Sequence, residues 1–275
     1  MISELLAPAG SELALHSALD AGANAIYFGV SQFSARAKAD NFTKDQLGMV
    51  SDYCHVRGAK AYLAVNTLVY DYEISDAMET VRQAYIEGID AVIIQDKGLC
   101  SLIRKTFPDF QIHASTQMNV HNMDTLLLAQ DMGISRWVLP REFSREDIDV
   151  SVKYSKKHNM GTEVFVHGAH CVSCSGICLF SAMNKSGQRS GNRGDCAQPC
   201  RERYSISNQT GRVSEGAQFS IKDRSLYRYL YDLVEIGVDS LKIEGRMRSP
   251  EYVRTVVSIY RNTLDQIIEQ TPANT

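Results

Sequence analysis

The sequence predicts an α/β protein with a (β/α)8 barrel of the TIM-barrel type, extending as one domain over residues 1–275. Short apolar segments alternate with segments of helical spacing about every 25 residues, which is typical of parallel strands joined by right-handed crossovers. The predicted strands are apolar along nearly their whole length, as expected for a sheet buried on both faces. About eight such units favour a closed barrel over an open sheet. No Gly-x-Gly-x-x-Gly fingerprint follows the first predicted strand, which argues against a dinucleotide-binding fold.

Strands are predicted where short apolar runs end in polar residues or glycine. In chain order they cover residues 4–10, 25–30, 59–65, 91–96, 111–116, 136–140, 162–168, 218–223 and 240–245. Helices are predicted between them, at residues 13–22, 43–58, 75–88, 99–107, 123–133, 144–159, 225–237 and 250–269. Gly22 and Gly88 close two of these helices. Thr43 and Gln46 are spaced as a capping box, and Ser144 is placed as an N-cap.

The regular alternation breaks once, at about residues 171–218. This stretch is rich in Cys, Gly, Ser, Asn and Arg and contains a possible hairpin over 203–214. We interpret it as an excursion from the barrel after the seventh strand, not as a second domain. Because the chemistry of such barrels collects at the C-terminal ends of the strands, the excursion is expected to open onto the functional face.

Composition and charge exclude some classes of protein. The chain has 29 Lys and Arg against 32 Asp and Glu, so its net charge of −3 does not favour nucleic acid globally. An RNA partner would therefore need a local basic patch. No run of about 18 apolar residues is present, so no membrane span is predicted. The first residues lack the basic and apolar regions of a secretory signal, which predicts a cytoplasmic location.

Five of the seven cysteines lie inside the excursion, and their thiolates are soft metal donors. They are Cys171, Cys174, Cys178, Cys196 and Cys200. Disulfides are disfavoured in a cytosolic protein. Structural zinc fits the Cys-x2-Cys and Cys-x3-Cys pairs, and an iron–sulfur cluster is the third interpretation. The order Cys-x2-Cys-x3-Cys is the reverse of the radical SAM spacing, so that family is not indicated.

Polar side chains at the strand ends are candidates for substrate binding and proton transfer. Arg36, Lys222 and Arg246 are cations where a following helix N-terminus disfavours them, and they suit a carboxylate or phosphate substrate. The remaining candidates are Asn66 and Gln117 for binding and His167, Asp223 and Glu244 for catalysis. Helix capping is the alternative for such polar residues. A structural hydrogen bond or metal ligation is the alternative for His167.

Residues 163–181 carry a recognisable signature. They fit the pattern Glu-x-Phe-x2-Gly-(Ser/Ala)-x-Cys-x4-Gly-x-Cys-x2-Ser, which resembles that of peptidase family U32. His170 is the one departure, because its place usually holds an aliphatic residue in that family. Further segments similar to that family occur along essentially the whole chain. They include residues 4–10, 25–30, 115–122, 191–201, 219–223 and 241–253.

The resemblance implies a four-iron four-sulfur (4Fe-4S) cluster and an oxygen-independent hydroxylation. Family members modify a tRNA wobble uridine, a ribosomal RNA cytidine or a quinone precursor, with prephenate as the implicated oxygen source. Arg36, Lys222 and Arg246 would bind this dicarboxylate. On this basis we expect a prephenate-dependent hydroxylase acting on tRNA.

The ligand set is carried over only in part. Cys171, Cys178 and Cys196 match three cluster positions, whereas Ser225 stands where several relatives have the fourth cysteine. Cys200 is the expected replacement, Cys174 is the second choice, and zinc remains the alternative metal.

Two other functions stay open. One is literal peptidase activity of the collagenase type, although no Ser-His-Asp or Cys-His arrangement and no His-Glu-x-x-His helix can be read from the sequence. The other is a subunit of ubiquinone-precursor hydroxylation or a zinc-stabilised partner of a homologous U32 subunit. For tRNA, the arginines of the excursion could meet phosphates or pair with nearby acids. They are Arg189, Arg193, Arg201 and Arg203.

Overall fold

The computed structural model describes residues 3–36, 39–183, 189–211 and 213–270, and its centre is a closed barrel of eight parallel strands. The strands in chain order are β1 (Glu4–Pro8), β2 (Ala25–Phe28), β3 (Lys60–Val65), β4 (Ala91–Ile94), β5 (Gln111–Ala114), β6 (Arg136–Val138), β7 (Gly161–Gly168), β8 (Tyr204–Ser207), β9 (Val213–Gly216), β10 (Arg224–Ser225) and β11 (Ser240–Ile243). Strands β1 to β7 pair in sequence, and β11 closes the ring between β7 and β1. The predicted TIM-barrel-like fold is confirmed.

Helices alternate with the barrel strands. They are α1 (Glu12–Asp20), α2 (Leu47–His55), α3 (Ile74–Ile86), α4 (Lys97–Thr106), α5 (Met123–Asp131), α6 (Arg145–Lys157), α7 (Leu230–Ile236) and α8 (Pro250–Gln270). The predicted capping box is confirmed, because the Thr43 N–H donates to Gln46 Oε1 at 2.9 Å, although a short 3-10 turn precedes α2. Ser144 is the predicted N-cap of α6 and accepts from the Asp147 N–H at 3.1 Å.

The strand predicted at 218–223 is wrong. These residues form an irregular surface segment in which Phe219 and Ile221 are exposed. The Phe219 ring packs edge-on against Tyr204 of β8, with centroids 5.3 Å apart, so its apolar character serves the excursion and not the barrel. The edge of β7 is instead paired with β10, which runs antiparallel to it.

The excursion leaves the end of β7 and returns at β10. Its predicted hairpin is present, with β8 and β9 paired antiparallel from Tyr204–Gly216 to Ser207–Val213. The ring of Phe180 packs on Tyr204 and Phe219, so a small aromatic cluster fixes the hairpin to the first part of the excursion. Within the described residues no helix has the length and apolar character needed to cross a membrane.

The apolar core lies between the strands and the helices, whereas the inside of the barrel carries buried charges. Glu163 Oε1 is 2.7 Å from Lys242 Nζ, and Arg136 Nη1 donates to Glu4 Oε1 at 2.6 Å. The Tyr62 hydroxyl donates to the other oxygen of Glu4 at 2.6 Å. Unpaired buried charges are strongly unfavourable, so this pairing is what allows charged residues in the barrel interior.

Candidate active site at the barrel mouth

Four of the five excursion cysteines surround one cavity. Its volume is about 210 Å³, and its polar lining includes Cys171, Cys178, Cys196 and Cys200 among mostly apolar neighbours. Cys174 is exposed and is not part of this lining. All seven cysteines of the chain are free thiols. The cavity lining therefore includes the four cysteines predicted as metal ligands and leaves out Cys174.

Ser181 joins the two halves of the excursion at this cavity. Its buried Oγ accepts a hydrogen bond from the Ala197 N–H at 3.0 Å and lies 3.6 Å from Cys196 Sγ. The Gln198 N–H also donates to Cys196 Sγ, at 3.3 Å. These bonds hold Cys196 beside the segment that carries Cys178, although the two lie far apart in sequence.

A glycine brings the first half of the excursion against the barrel. Gly176 has a φ of +78°, and a Cβ there would lie 2.6 Å from the carbonyl oxygen of Gln117. Only glycine permits this close approach and this left-handed conformation. Gln117 thus lies under the excursion and supports it, in addition to any role in binding substrate.

Four thiols on one cavity form a donor set of the soft type. Burial raises the pKa of Cys200, Arg201 lowers it, and the neighbouring Cys171, Cys196 and Cys178 raise it again. A cation in the cavity would favour its thiolate form. The cavity is much larger than one water molecule requires. Among the described residues no three His, Cys, Asp or Glu side chains converge tightly enough for one ion.

A buried cation lies at the mouth of the barrel beside this excursion. Arg246 is 5% exposed, and its Nη1 donates to Ser34 Oγ at 2.6 Å. No carboxylate of the described residues pairs with it. Burial, together with the charge of Arg36, lowers the pKa of Arg246 to about 10. An unpaired buried guanidinium is costly, and an anionic ligand would offset that cost.

Two glycines make room for Arg246. A Cβ on Gly29 would lie 2.5 Å from its Nη1, and a Cβ on Gly10 would lie 1.8 Å from its carbonyl oxygen. Both glycines follow barrel strands, Gly10 after β1 and Gly29 directly after β2. The mouth is therefore shaped by the absence of side chains at two strand ends.

Arg36 is held at the mouth by an ion pair with Glu244. Its Nη2 donates to Glu244 Oε1 at 3.0 Å, and the Glu244 charge raises the pKa of this half-buried arginine. Cys196 makes a smaller contribution to the same rise. Asn66 supports the loop that carries Arg36, because its Oδ1 accepts from the Ala35 N–H at 3.0 Å.

The other candidates lie apart from this group. His167 packs against Tyr252 and Tyr260 of α8, and its Nδ1 is 3.3 Å from the Tyr260 hydroxyl. Burial lowers its pKa. Asp223 forms a surface pair with Arg248 at 2.9 Å, and Lys222 is exposed in the irregular segment before β10.

The excursion arginines are mostly paired within the protein. Arg193 forms a two-point ion pair with Glu73, with N–O distances of 2.6 and 2.8 Å. Arg189 pairs with Asp195 at 2.9 Å, and Arg201 donates to the His170 carbonyl oxygen at 2.7 Å. The interpretation that these arginines pair with nearby acids is therefore correct for Arg189 and Arg193.

Sequence reasoning missed the two residues that fix the buried cation. Ser34 accepts the hydrogen bond of Arg246, and the Tyr27 ring lies 5.7 Å from the Arg246 guanidinium carbon. Ser34 stands two residues before Arg36 in the same loop, which is the only local signal for its role. In the sequence, Tyr27 resembles an ordinary strand residue, because Arg246, which it contacts, is distant along the chain.

Comparison with known proteins places this site in a family context. The sequence model of the family described as peptidase family U32 matches residues 10–275 of this chain. The 23S rRNA 5-hydroxycytidine C2501 synthase of Escherichia coli K12 is 36% identical over 97% of this chain and 40% of its own length. The tRNA hydroxylation protein P1 of Bacillus subtilis 168 is 33% identical over 95% of this chain and 63% of its own length. A collagenase of Porphyromonas gingivalis W83 is 32% identical over 95% and 65%, respectively.

A solved structure supports the fold. The U32 peptidase Mk0906 superimposes with a TM-score of 0.54 at 12% identity, covering 89% of this chain and 94% of that protein. The curated relatives named above are longer, since this chain spans between 40% and 65% of their length.

Proposed function

The chain belongs to peptidase family U32, and from that premise we propose that it hydroxylates an RNA base without dioxygen. The proposed substrate is a tRNA wobble uridine, and prephenate is the proposed oxygen donor. The observation that carries the proposal is the position of four free thiols around one cavity, together with a buried arginine at the barrel mouth. Relatives named for RNA hydroxylation and hydroxycytidine synthesis support the reaction class.

The four cavity thiols would hold a 4Fe-4S cluster. The ligands proposed are Cys171, Cys178, Cys196 and Cys200. When bound, such a cluster supplies electron transfer or a Lewis-acidic iron. Replacing C–H by C–OH removes two electrons from the base, so the complete reaction also includes an electron acceptor.

The arginines of the mouth would bind the co-substrate. Arg246 offers a buried guanidinium with no ionic partner among the described residues, which suits one carboxylate of prephenate. Arg36 is available for the second carboxylate if it exchanges its bond to Glu244. Glu244, released from Arg36 in that exchange, is the proposed proton acceptor at the reacting base.

The test is mass spectrometry of tRNA nucleosides from cells that lack this protein. We expect loss of one hydroxylated uridine, restored by the wild-type gene and not by Cys178→Ala. Hydroxylated nucleosides of ribosomal RNA and quinone intermediates are measured in the same cells. Unchanged tRNA nucleosides, with a change in the rRNA nucleosides or in the quinone intermediates, would overturn the assignment of tRNA as the substrate. No change in any of these three measurements would overturn hydroxylation as the reaction class.

Peptidase activity is the second candidate, because one relative is named a collagenase. Collagen and casein cleavage by the purified protein tests it directly. Cleavage that survives Cys178→Ala, together with unchanged RNA nucleosides in the deletion strain, would favour the peptidase.

A further inference from the structure

Two exposed tyrosines stack on each other beside the barrel mouth. Tyr70 and Tyr72 lie in the loop after β3 and are 52% and 79% exposed. Their ring centroids are 5.4 Å apart, and the ring planes differ by 21°. This parallel pair, here called the tyrosine platform, leaves a large aromatic surface in water. Exposed apolar surface of this kind often marks a binding site.

The platform is held in place before any ligand binds. Glu73 Oε2 accepts from the Tyr70 N–H at 2.8 Å, and both Glu73 oxygens are bonded by Arg193. The guanidinium carbon of Arg193 also lies 4.1 Å from the centre of the Tyr70 ring. Because the loop is fixed from two sides, little ordering is required when a ligand stacks on it.

Further contacts connect the loop of the platform to the candidate active site. The Leu68 N–H donates to the Asn192 carbonyl oxygen at 2.9 Å, so the loop lies against the excursion. Two residues after Asn192, a Cβ on Gly194 would lie 2.3 Å from the Ser34 carbonyl oxygen and 3.4 Å from Thr67. Ser34 bonds the buried Arg246, and Cys196 follows Gly194 by two residues. An RNA strand whose base enters the barrel mouth would therefore pass close to the platform.

We infer that the tyrosine platform stacks an unpaired nucleobase of the RNA, next to the base that enters the active site. This inference rests on the proposed function. Single-stranded bases are recognised by stacking on aromatic rings, and every base has a face that can stack. The charge of Arg193 is balanced by Glu73, and Asp71 in the same loop is exposed, so the platform contacts the base and not the phosphates.

The experiment measures binding of a fluorescently labelled tRNA anticodon stem–loop to the full chain by anisotropy. Stacking on one tyrosine predicts that Tyr72→Ala weakens binding about tenfold. Tyr72→Phe, which keeps the ring, is expected to stay within about twofold of wild type. Tyr231→Ala is the matched control, because Tyr231 is 56% exposed on α7 in the outer helical layer.

Salt dependence separates stacking from phosphate binding. The slope of log Kd against log salt should be the same for Tyr72→Ala and wild type, since no phosphate contact is lost. Circular dichroism melting confirms that the exposed substitution leaves the fold intact. Equal binding by Tyr72→Ala and wild type, an equal loss in Tyr72→Phe, or no measurable stem–loop binding by wild type would each overturn the inference.

The platform and the proposed reaction fail in distinguishable ways. If Tyr72→Ala weakens RNA binding but deletion of the gene leaves all RNA nucleosides unchanged, the platform stands and the hydroxylation is wrong. If deletion removes the hydroxylated nucleoside but Tyr72→Ala binds the stem–loop like wild type, the platform alone is wrong.

Discussion

The inside of the barrel and its mouth both contain buried charges, but they use them differently. In the interior, Glu163 pairs with Lys242 and Glu4 pairs with Arg136, so each charge has a partner. At the mouth, Arg246 is as deeply buried, yet within the described part of the chain its guanidinium donates to the Ser34 hydroxyl and to no carboxylate. The interior charges thus neutralise one another within the fold, although Glu163 Oε2 has no hydrogen-bond partner among the described residues. Arg246, by contrast, is suited to the anionic ligand proposed above.

The largest effect is expected at the cysteine cavity, which has no counterpart inside the barrel. Cys178→Ala should reduce the iron content of anaerobically purified protein, measured by mass spectrometry, to background. Cys174→Ala is the matched control, because Cys174 is exposed outside the cavity lining, and it should keep the wild-type iron content. Equal iron in both variants would contradict the assignment of the cavity as a cluster site.

The second-largest effect is a loss of stability when the buried Glu163–Lys242 pair inside the barrel is broken. Glu163→Gln leaves the Lys242 ammonium buried without its carboxylate, which should lower the free energy of unfolding by about 3–5 kcal/mol. Urea denaturation measures the loss. The double variant Glu163→Gln, Lys242→Met removes both charges and should recover most of it. A single variant within about 1 kcal/mol of wild type, the range of exposed pairs, would show that this pair is not structural.

His113, also in the barrel interior, predicts a pH dependence of stability. Its burial, with the charges of Arg136 and Lys242, keeps its pKa well below 6.5 in the folded protein. The unfolded chain binds a proton there at higher pH, so stability is lost as the pH falls below about 6.5, by about 1.4 kcal/mol per unit. Urea unfolding at pH 7 and pH 5 measures the slope.

The variant His113→Asn provides the control for that slope. It should remove the contribution of this histidine and leave that of His167, whose pKa is also lowered by burial. An identical slope in the variant and the wild type would assign the pH dependence to other groups.

The smallest change in stability is expected at the mouth, where the substitution should stabilise the protein instead of destabilising it. Arg246→Met removes a buried charge that has no ionic partner among the described residues, and should raise the free energy of unfolding by about 1 kcal/mol. Calorimetric binding of prephenate should be lost in the same variant. Arg36→Met, which leaves Glu244 unpaired, should show no such gain in stability. Destabilisation by Arg246→Met would mean that the mouth is complete without a ligand.

Periodicity predicted the barrel well because every barrel strand is buried on both faces and is followed by a helix. It failed at 218–223, where alternation of Phe219 and Ile221 resembles a strand. Those side chains are exposed on the excursion, with Phe219 against the hairpin, and no sequence pattern distinguishes that surface from the core.

The site was predictable where strand ends converge and not where the backbone departs from regular geometry. Arg36 and Glu244 meet at the mouth because parallel strands place their ends together. The four cavity cysteines lie instead on the excursion that follows β7. His167 faces α8 instead, since the pairing of β7 with β11 shifts register between Lys242 and Ile243. Such an irregularity reverses the direction of a side chain and leaves no trace in the pattern of residue types.

The hydrogen bonds of Ser181 have a consequence for how the protein matures. Because this hydroxyl ties the backbone at Ala197 and the Cys196 sulfur to the first half of the excursion, the polypeptide itself positions Cys196. If the cavity holds the proposed cluster, its insertion would then follow folding of this segment instead of driving it.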